Sequence, residues 1–395
     1  MHRTWVRLRA GAIALLVVPS LSVAAIAELA VSANDGKVRL VDGKIEVIKD
    51  GQDTVTIIDL AAFPPKAMAE IEAPTSAIGP PLSVAISPAE NIALVTGAMT
   101  VDPTDPTKQI PDDKLTVIEL PAPADKPKTP QVIATLQAGK GASGVSINRQ
   151  GTLALVANRN EGTISVFAID GKKVAPVGEK VRVGDEKSGP SHVVFSPDGS
   201  TALVTMDGEN SNKIAVVAID GTKVEYTKRD MNAGLRPYGL DMSSAGDVAV
   251  VANIGRGQGD ADTISVIDMK ATPPRVVNTV TVGQTPEGIK ISPDGNYVAV
   301  TVMNGTNKPE NSPFYNPNGL LHVYARQGTS LTKVAEAPIG KWCQGVAWNS
   351  KSDMILAQCM VEQEVLAFTF SGSRLENAGV IKTKAAPAAI RTAEK

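Results

Sequence analysis

Short stretches in which apolar and polar residues alternate recur along the chain as part of a repeated unit. Each unit contains one such stretch, a polar turn and a second, more apolar stretch. Alternation with a period of two, rich in Val, Ile and Thr, predicts β-strands. The turn sequence Ser-Pro-Asp-Gly at 196–199 suits a tight hairpin, because proline presets φ and glycine accepts a positive φ. Six units align on their turn residues, which are Ser87, Asn148, Ser196, Ser243, Ser292 and Asn349.

The spacing of these units indicates the fold class. The turn residues lie 61, 48, 47, 49 and 57 residues apart, and a third alternating stretch followed by a more polar fourth one typically completes the unit. A strand-built repeat of about 50 residues is typical of a β-propeller with one blade per repeat. We therefore predict an all-β protein whose blades are four-stranded antiparallel sheets, with strands named A to D from the axis outward.

The two ends of the chain are predicted to share a seventh blade. Residues 28–35, 53–60 and 66–73 have the patterns of strands B, C and D, without an inner strand. Residues 386–392 match residues 285–291 in their proline and apolar spacing, so we predict that they supply the missing strand A. Pairing of the N- and C-terminal strands would close a seven-bladed ring and remove an unpaired sheet edge.

The first 27 residues predict a targeting signal. Arg3, Arg7 and Arg9 form a basic start, residues 10–18 are apolar, and Ala25-Ile26-Ala27 is a small-x-small cleavage pattern. The apolar run is shorter than the roughly 20 residues that a membrane-spanning helix needs. We predict a signal peptide over residues 1–27 cut after Ala27, a propeller domain over 28–395, and export to the periplasm or outside the cell. No membrane span is predicted in the mature chain.

Composition argues against several functions. The formal net charge is −2 and no block of Lys and Arg stands out, so no nucleic-acid partner is predicted. Beyond the predicted signal peptide the chain contains two histidines, His192 and His322, and no Cys-x-x-Cys sequence. Neither a histidine-rich zinc site nor a c-type haem attachment is therefore available, and we predict no metal and no cofactor.

The two cysteines are placed symmetrically about one predicted turn. Cys343 and Cys359 flank the turn at 349–353, so they should face each other across strands A and B of the last blade. That separation is within the range of a disulfide, which an oxidising export compartment favours. The alternative is a pair of free, buried thiols.

Sequence motifs resemble a known group of bacterial propellers. Asn158 and Asn253 at the ends of predicted B strands, with Gly-Thr-Ile-Ser at 162–165 and Thr-Ile-Ser-Val-Ile-Asp at 263–268, resemble the YVTN-type repeat. This repeat occurs in binding proteins, lactonase-like proteins and heavy subunits of amine dehydrogenases. The resemblance covers essentially the whole mature chain and implies a propeller fold.

A second resemblance concerns residues 189–198. Their sequence is similar to the G-P-R-H-x-x-F-x-P segment of phosphogluconolactonase-like propellers, where the arginine, the histidine and a glutamate closing the next strand are proposed site residues. His192 matches the histidine, whereas Ser191 replaces the arginine and Asp207 stands in the region of the glutamate. The resemblance implies a hydrolase with His192 at the site. Opening a lactone needs a base and a cation for the oxyanion, so His192 would be the base, Asp207 or Glu287 would orient this histidine, and Arg236 would take the oxyanion role because position 191 is not a cation.

The candidate site lies at one face of the predicted ring, which we call the top face. It carries the irregular D–A and B–C loops, where binding residues tend to be found on rigid scaffolds. Two long insertions, 97–114 and 303–319, also lie there, and the second contains the adjacent Phe314 and Tyr315. Residues predicted just before strand A should ring the channel mouth, with Arg236 and Trp342 slightly further back; they are Leu82, Ser143, Ser191, His192, Tyr238, Glu287, Gln344 and Ala388.

Three functions fit these patterns. The first is a propeller that binds a small molecule or a protein partner at the top face through Arg236, Tyr238, Trp342, Gln344, Phe314 and Tyr315. The second is a lactonase-type hydrolase that uses His192, Glu287 and Asp207. The third is the large subunit of a periplasmic redox enzyme, which would need a smaller partner chain to carry the cofactor. Replacement of His192 by alanine separates the first two, because loss of a general base lowers the rate at least ~10²-fold.

Overall fold

In a computed structural model, residue 2 and residues 28–395 apart from 122–128 and 210 are described. The predicted signal peptide therefore lies, except for His2, outside the described residues. Regular secondary structure in the described part of the chain consists of strands alone. None of the described residues forms a helix of the length and apolarity needed to cross a membrane.

The strands follow one another along the chain in seven groups. The first two groups contain β1 (Leu29–Asp35), β2 (Val38–Val41), β3 (Lys44–Val47), β4 (Thr54–Asp59), β5 (Lys66–Glu72), β6 (Val84–Ile86), β7 (Ile92–Thr96), β8 (Met99–Val101), β9 (Gln109–Pro111), β10 (Lys114–Glu119) and β11 (Gln131–Gln137). The next two contain β12 (Ala142–Ile147), β13 (Leu153–Asn158), β14 (Thr163–Asp170), β15 (Lys173–Pro176), β16 (Val181–Arg182), β17 (Pro190–Phe195), β18 (Thr201–Met206), β19 (Lys213–Asp220), β20 (Lys223–Tyr226) and β21 (Met231–Asn232). The last three contain β22 (Pro237–Met242), β23 (Val248–Asn253), β24 (Asp262–Asp268), β25 (Arg275–Gly283), β26 (Pro286–Ile291), β27 (Tyr297–Val302), β28 (Gly319–Gln327), β29 (Ser330–Ile339), β30 (Cys343–Trp348), β31 (Met354–Cys359), β32 (Glu364–Phe370) and β33 (Leu375–Lys382), and the chain ends with β34 (Ala386–Thr392).

These strands form a closed seven-bladed β-propeller of antiparallel sheets. Blade 1 has the order β34-β1-β4-β5, and blades 2 to 7 have the inner strands β6, β12, β17, β22, β26 and β30. Each inner strand contacts the inner strands of both neighbouring blades, including β34 with β6 and with β30. The predicted all-β fold and the predicted blade composition are confirmed.

The ring is closed by the pairing of the two ends of the chain. In β34, Ile390 lies opposite Ser32 and Thr392 opposite Ala30, so the predicted bounds of this strand are correct. Blade 7 is linked to this pair through the Gln358 side-chain amide, which donates to the Ala389 carbonyl at 3.0 Å and to Ser32 Oγ at 2.7 Å. The β34 strand thereby belongs to the packing of both blade 1 and blade 7.

Apolar packing between neighbouring blades forms the core. The B strands, such as β13 and β23, are buried along their whole length because a blade packs on each side of them. Burial of a Val, Leu or Ile side chain contributes about 1.5–3 kcal/mol. Threonines of B strands add hydrogen bonds to the next blade: Thr205 Oγ1 donates to the Tyr238 carbonyl at 2.9 Å, and Thr301 Oγ1 to the Gln344 carbonyl at 2.5 Å.

The inner strands are irregular where they reach the top face. The pairing register shifts between Pro190 and His192 in β17, and equivalent shifts occur in β12, β22, β26 and β30. Residues expected just before strand A, from Ser143 round to Ala388, therefore lie inside the inner strands, apart from Leu82 in blade 2. A bulge redirects side chains locally, which is how strand residues come to line the channel mouth.

Two hairpins on the top face were not predicted. Strands β2 and β3 pair within the B–C connection of blade 1, and β8 and β9 pair within the 97–114 insertion. The tip of the first hairpin reaches the insertion of blade 6, because Asp42 Oδ1 accepts a hydrogen bond from the Glu310 backbone amide at 2.9 Å. The β2–β3 hairpin and the blade 6 insertion thus contact each other across the top face.

The predicted disulfide between Cys343 and Cys359 is present, and the two residues are paired across β30 and β31. We expect replacement of both cysteines by serine to lower the free energy of unfolding by about 3 kcal/mol, because the bond restricts the unfolded chain over a separation of 16 residues. Urea denaturation measures this loss. Reducing agent should destabilise the wild type and leave the double variant unchanged; equal stability of variant and wild type would contradict the prediction.

Candidate functional site

The residues directly after the B strands divide the top face into two halves. Blades 3 and 4 carry Arg159 and Asp207 at this position, whereas blades 5, 6 and 7 carry Ile254, Met303 and Met360. The first half is a polar pocket at blades 3 to 5, and the second is an apolar cluster at blades 6, 7 and 1. The top face therefore has charged residues at this position in blades 3 and 4 and apolar residues in blades 5, 6 and 7.

The polar pocket is organised around the Asp207 carboxylate. Arg159 Nη2 lies 2.8 Å from Asp207 Oδ2, and its Nη1 contacts Oδ1, so the guanidinium binds the carboxylate with two bonds. Arg159 Nη1 also donates to Ser191 Oγ at 2.5 Å, and the Ser191 hydroxyl donates to Asp207. Arg236 Nη2 contacts Asp207 Oδ2 from the other side at 3.3 Å. Such bidentate, charge-assisted bonds have a fixed geometry and are among the stronger hydrogen bonds in proteins.

Asp207 is ionised despite its burial. Its side chain has no exposed surface. Burial acts to raise the pKa of Asp207, but the charges of Arg159 and Arg236 and the hydrogen bonds from Arg159 and Ser191 together hold the pKa below its ordinary value. The local backbone also positions this residue: the Asp207 amide donates to the Gly189 carbonyl at 3.0 Å. Gly189 has φ +59°, and a Cβ there would lie 2.7 Å from the Gly208 nitrogen. Only glycine fits this approach.

Glu287 is the second carboxyl group at this side of the channel mouth. Its pKa is raised, whereas the pKa of Asp207 is lowered. Glu287 lies in β26 at the register shift and is 9% exposed. Burial raises the pKa of Glu287 to about 8, the Arg236 charge lowers it in part, and the Asp207 charge raises it. Within the described part of the chain the carboxyl group has no hydrogen-bond partner. Two neighbouring carboxyl groups with pKa values driven apart are a frequent arrangement in acid–base sites.

His192 lies beneath this pocket. It occupies a position that is glycine in blades 3, 5, 6 and 7, and its side chain is 0% exposed. The ring packs edge-on against Tyr238 with 4.4 Å between centroids, and neither ring nitrogen has a hydrogen-bond partner among the described residues. Burial lowers the pKa of His192 to about 3, so the ring is neutral. Asp207 and Glu287 do not hydrogen-bond to it, and burial raises the pKa of Tyr238.

Trp342 and Gln344 belong to the apolar half of the top face. Trp342 is 4% exposed and packs with Met303, Met360 and Ala388. It also lines a cavity of about 300 Å³ beneath the β2–β3 hairpin. Gln344 Nε2 donates to the Ile78 carbonyl at 3.0 Å. The structure therefore does not bring these two predicted site residues together with Asp207 and Arg236.

Phe314 and Tyr315 lie in the blade 6 insertion and contact neighbouring loops. The Phe314 ring is 41% exposed and lies directly against Gly259 of blade 5. The Lys341 ammonium lies 5.5 Å from the centre of the Tyr315 ring. Neither aromatic ring lines the polar pocket.

The polar pocket has a volume of about 580 Å³ and is lined by four cationic and three anionic side chains. Arg159, Arg236, Arg256 and Lys187 line it, facing Asp207, Glu186 and Glu209. Arg159 was missed in the sequence analysis, although it and Asp207 are charged at positions that are apolar in three other blades. Guanidinium groups in an open pocket are suited to carboxylate, phosphate or a developing oxyanion. In the described ranges, no three or more His, Cys, Asp or Glu side chains are grouped to hold a metal ion.

Comparison with known proteins agrees with this architecture. Residues 112–223 and 179–308 match the family described as lactonase, 7-bladed beta-propeller. No curated protein matches the chain significantly. Among solved structures, the periplasmic gluconolactonase of Pseudomonas aeruginosa has a TM-score of 0.67 at 14% identity, over 93% of this chain and 99% of that chain.

Two further solved structures have the same fold. A candidate 6-phosphogluconolactonase of Bacteroides fragilis has a TM-score of 0.67 at 16% identity, covering 94% of this chain and 99% of that chain. The hydrazine synthase of Kuenenia stuttgartiensis has a TM-score of 0.60 at 17% identity, covering 80% and 91%. At these identities the structural likeness concerns the fold alone. The family match over residues 112–308 therefore relates the chain to the lactonase-like seven-bladed β-propellers, and the solved structures share its fold.

Proposed function

We propose that the protein is a lactone hydrolase that binds its substrate in the polar pocket at blades 3 to 5. The observation that carries this proposal is the buried Glu287 carboxyl group, which has no hydrogen-bond partner among the described residues and interacts electrostatically with Arg236, one of the two arginines that share the Asp207 carboxylate. A carboxyl group with a pKa of about 8 is a stronger base than an ordinary glutamate once it has lost its proton. The family match and the gluconolactonase fold neighbour support the choice of a lactone as substrate.

The proposed reaction assigns one role to each group. Glu287 takes a proton from water as its oxygen attacks the lactone carbonyl carbon, and Arg236 stabilises the negative oxygen that forms. The ring C–O bond then breaks, and Glu287 returns the proton to the leaving alkoxide. Asp207 is a positioning residue, because it holds the Arg159 and Arg236 guanidinium groups in place. The base is assigned to Glu287 rather than His192, since the His192 ring is shielded from solvent.

The first test is the replacement Glu287→Gln. With gluconolactone as the substrate, we expect kcat/KM to fall at least ~10²-fold, because the amide cannot accept the proton. In the wild type, kcat/KM should rise with pH through about 8, since the free carboxylate is the active form. Glu225→Gln is the matched control, because Glu225 is exposed and paired with Lys223 on the surface. Binding of gluconolactone without hydrolysis by the wild type would exclude catalysis on this lactone and leave a binding function.

The same variant has an expected effect on stability. The pKa of Glu287 is higher in the folded chain than its ordinary value of 4.5, so ionisation opposes folding. The free energy of unfolding of the wild type should therefore decrease as the pH rises from about 4.5 to about 8. Glu287→Gln removes this decrease and should be more stable than the wild type at alkaline pH. Thermal melts of both proteins from acidic to alkaline pH measure the difference, and parallel curves would contradict the assignment.

A further inference from the structure

A second ring of side chains lies in the axial channel. Its residues follow the mouth residues by three positions along each inner strand. At this level blades 5, 6 and 1 carry Asp241, Lys290 and Arg391. Lys290 Nζ lies 2.8 Å from Asp241 Oδ1, and the two side chains are only 8% and 3% exposed. Asp241 Oδ2 also accepts a hydrogen bond from the Ile291 amide at 2.8 Å. Both oxygens of Asp241 are therefore engaged.

The C-terminal residues cross the lower end of this channel, on the side of the A–B turns. The Glu394 carboxylate contacts Lys290 Nζ, and Lys395 Nζ lies 2.9 Å from Glu90 Oε1. Together with the turn residues Ser244 and Pro293, these groups enclose a cavity of about 100 Å³. The tail thus closes the channel at the end opposite to the polar pocket.

The charges around Lys290 and Arg391 balance when Glu394 is included, because the other buried carboxylate of this cavity, Glu90, is already paired with Lys395. Lys290 and Arg391 carry two positive charges against the single carboxylate of Asp241. Arg391 is 7% exposed, and its guanidinium group makes no hydrogen bond with any described residue. An uncompensated buried charge is strongly unfavourable, so this place requires an anion. Although burial acts to raise the pKa of Glu394, Lys290 and Arg391 hold it below its ordinary value.

We propose that Lys290 and Arg391 form a carboxylate-binding site at the lower end of the channel, which the chain fills with its own Glu394. The C-terminal tail is then a displaceable plug. The Glu394 side chain remains 35% exposed, so solvent can reach the bound carboxylate. Small monocarboxylate anions match the group that Glu394 presents and fit the site when the tail is withdrawn. This proposal is independent of the lactone hydrolysis proposed for the polar pocket.

Rescue by acetate tests the site. We expect Glu394→Ala to melt at a lower temperature than the wild type. Acetate at about 0.1 M should raise its melting temperature by about 2–4 °C, because acetate replaces the missing carboxylate. Sodium chloride at equal ionic strength should not do so. The wild type and the control Glu376→Ala, which loses an exposed carboxylate paired with Arg374, should not respond to acetate. Addition of Lys290→Met to Glu394→Ala should abolish the response.

Equal acetate effects on all variants, or no effect on Glu394→Ala, would overturn the proposal. If Glu394→Ala does not fold, Glu394→Gln provides the second test, since the amide keeps the size of the side chain and removes its charge. Carboxypeptidase should then remove the last residues of Glu394→Gln at least several-fold faster than those of the wild type. Equal rates of removal would show that the ion pair does not hold the tail, and would also overturn the proposal.

Discussion

Removal of residues 386–395 should lower the melting temperature by at least about 10 °C, the largest stability effect that we expect for this protein. The deletion removes β34, the inner strand of blade 1. Ala389 packs in the core between blades 1 and 2, whereas Ile390 packs in the core between blades 7 and 1. Loss of the strand exposes both cores and leaves the hydrogen-bonding edge of β1 unpaired. Calorimetry of the deletion variant measures the effect.

A shorter deletion provides the control for this experiment. Removal of Glu394 and Lys395 alone leaves β34 in place, so it should have a much smaller effect on the melting temperature. That variant tests the charge balance in the channel, whereas the longer deletion tests the closure of the ring. A protein without residues 386–395 that melts like the wild type would show that the terminal strands do not hold the blades together.

The second large effect is expected from Asp207→Ala. This replacement leaves the Arg159 guanidinium, whose side chain is 29% exposed, without its carboxylate partner. Breaking a largely buried ion pair by removing one partner costs about 3 kcal/mol or more of the free energy of unfolding. The double variant Arg159→Met/Asp207→Leu removes both charges and should regain most of this loss. Urea denaturation of the wild type, Arg159→Met, Asp207→Leu and the double variant gives the coupling free energy.

The pH dependence of this effect has a definite sign. The pKa of Asp207 is lower in the folded chain than its ordinary value of 3.8, so its ionisation favours folding above that value. This contribution is lost as the pH falls through the folded pKa. The stability difference between wild type and Asp207→Ala should therefore shrink in acid. A difference that stays constant down to strongly acidic pH would indicate that the carboxylate charge is not what stabilises the pair.

The two carboxyl groups explain why the activity and the stability of this site should respond differently to substitution. Asp207 holds two arginines and is stabilised by them, whereas Glu287 is kept protonated by burial. Replacing Asp207 should disturb folding first, and replacing Glu287 should disturb catalysis first. This separation allows the pocket's structural and chemical roles to be measured in different variants.

Much of the fold was predictable because its signals are local. Alternation with a period of two, turns at regular spacing and the match of residues 386–392 to an inner strand all lie within short segments of the sequence. The disulfide was predictable for the same reason, since Cys343 and Cys359 are symmetric about one turn. Local patterns of this kind survive folding because they depend on the pleat of a strand and the geometry of a hairpin.

The composition of the site could not be read in the same way, because it depends on contacts between blades. The bulges in the inner strands redirect the residues at the mouth, and no local pattern marks them. Arg159 and Asp207 are 48 residues apart and meet because two neighbouring blades present equivalent positions to each other. Trp342 and Gln344 were expected in the same site, yet they pack in the apolar half. Sequence periodicity specifies strands and blades, whereas the curvature of the closed ring sets which side chains meet across its axis.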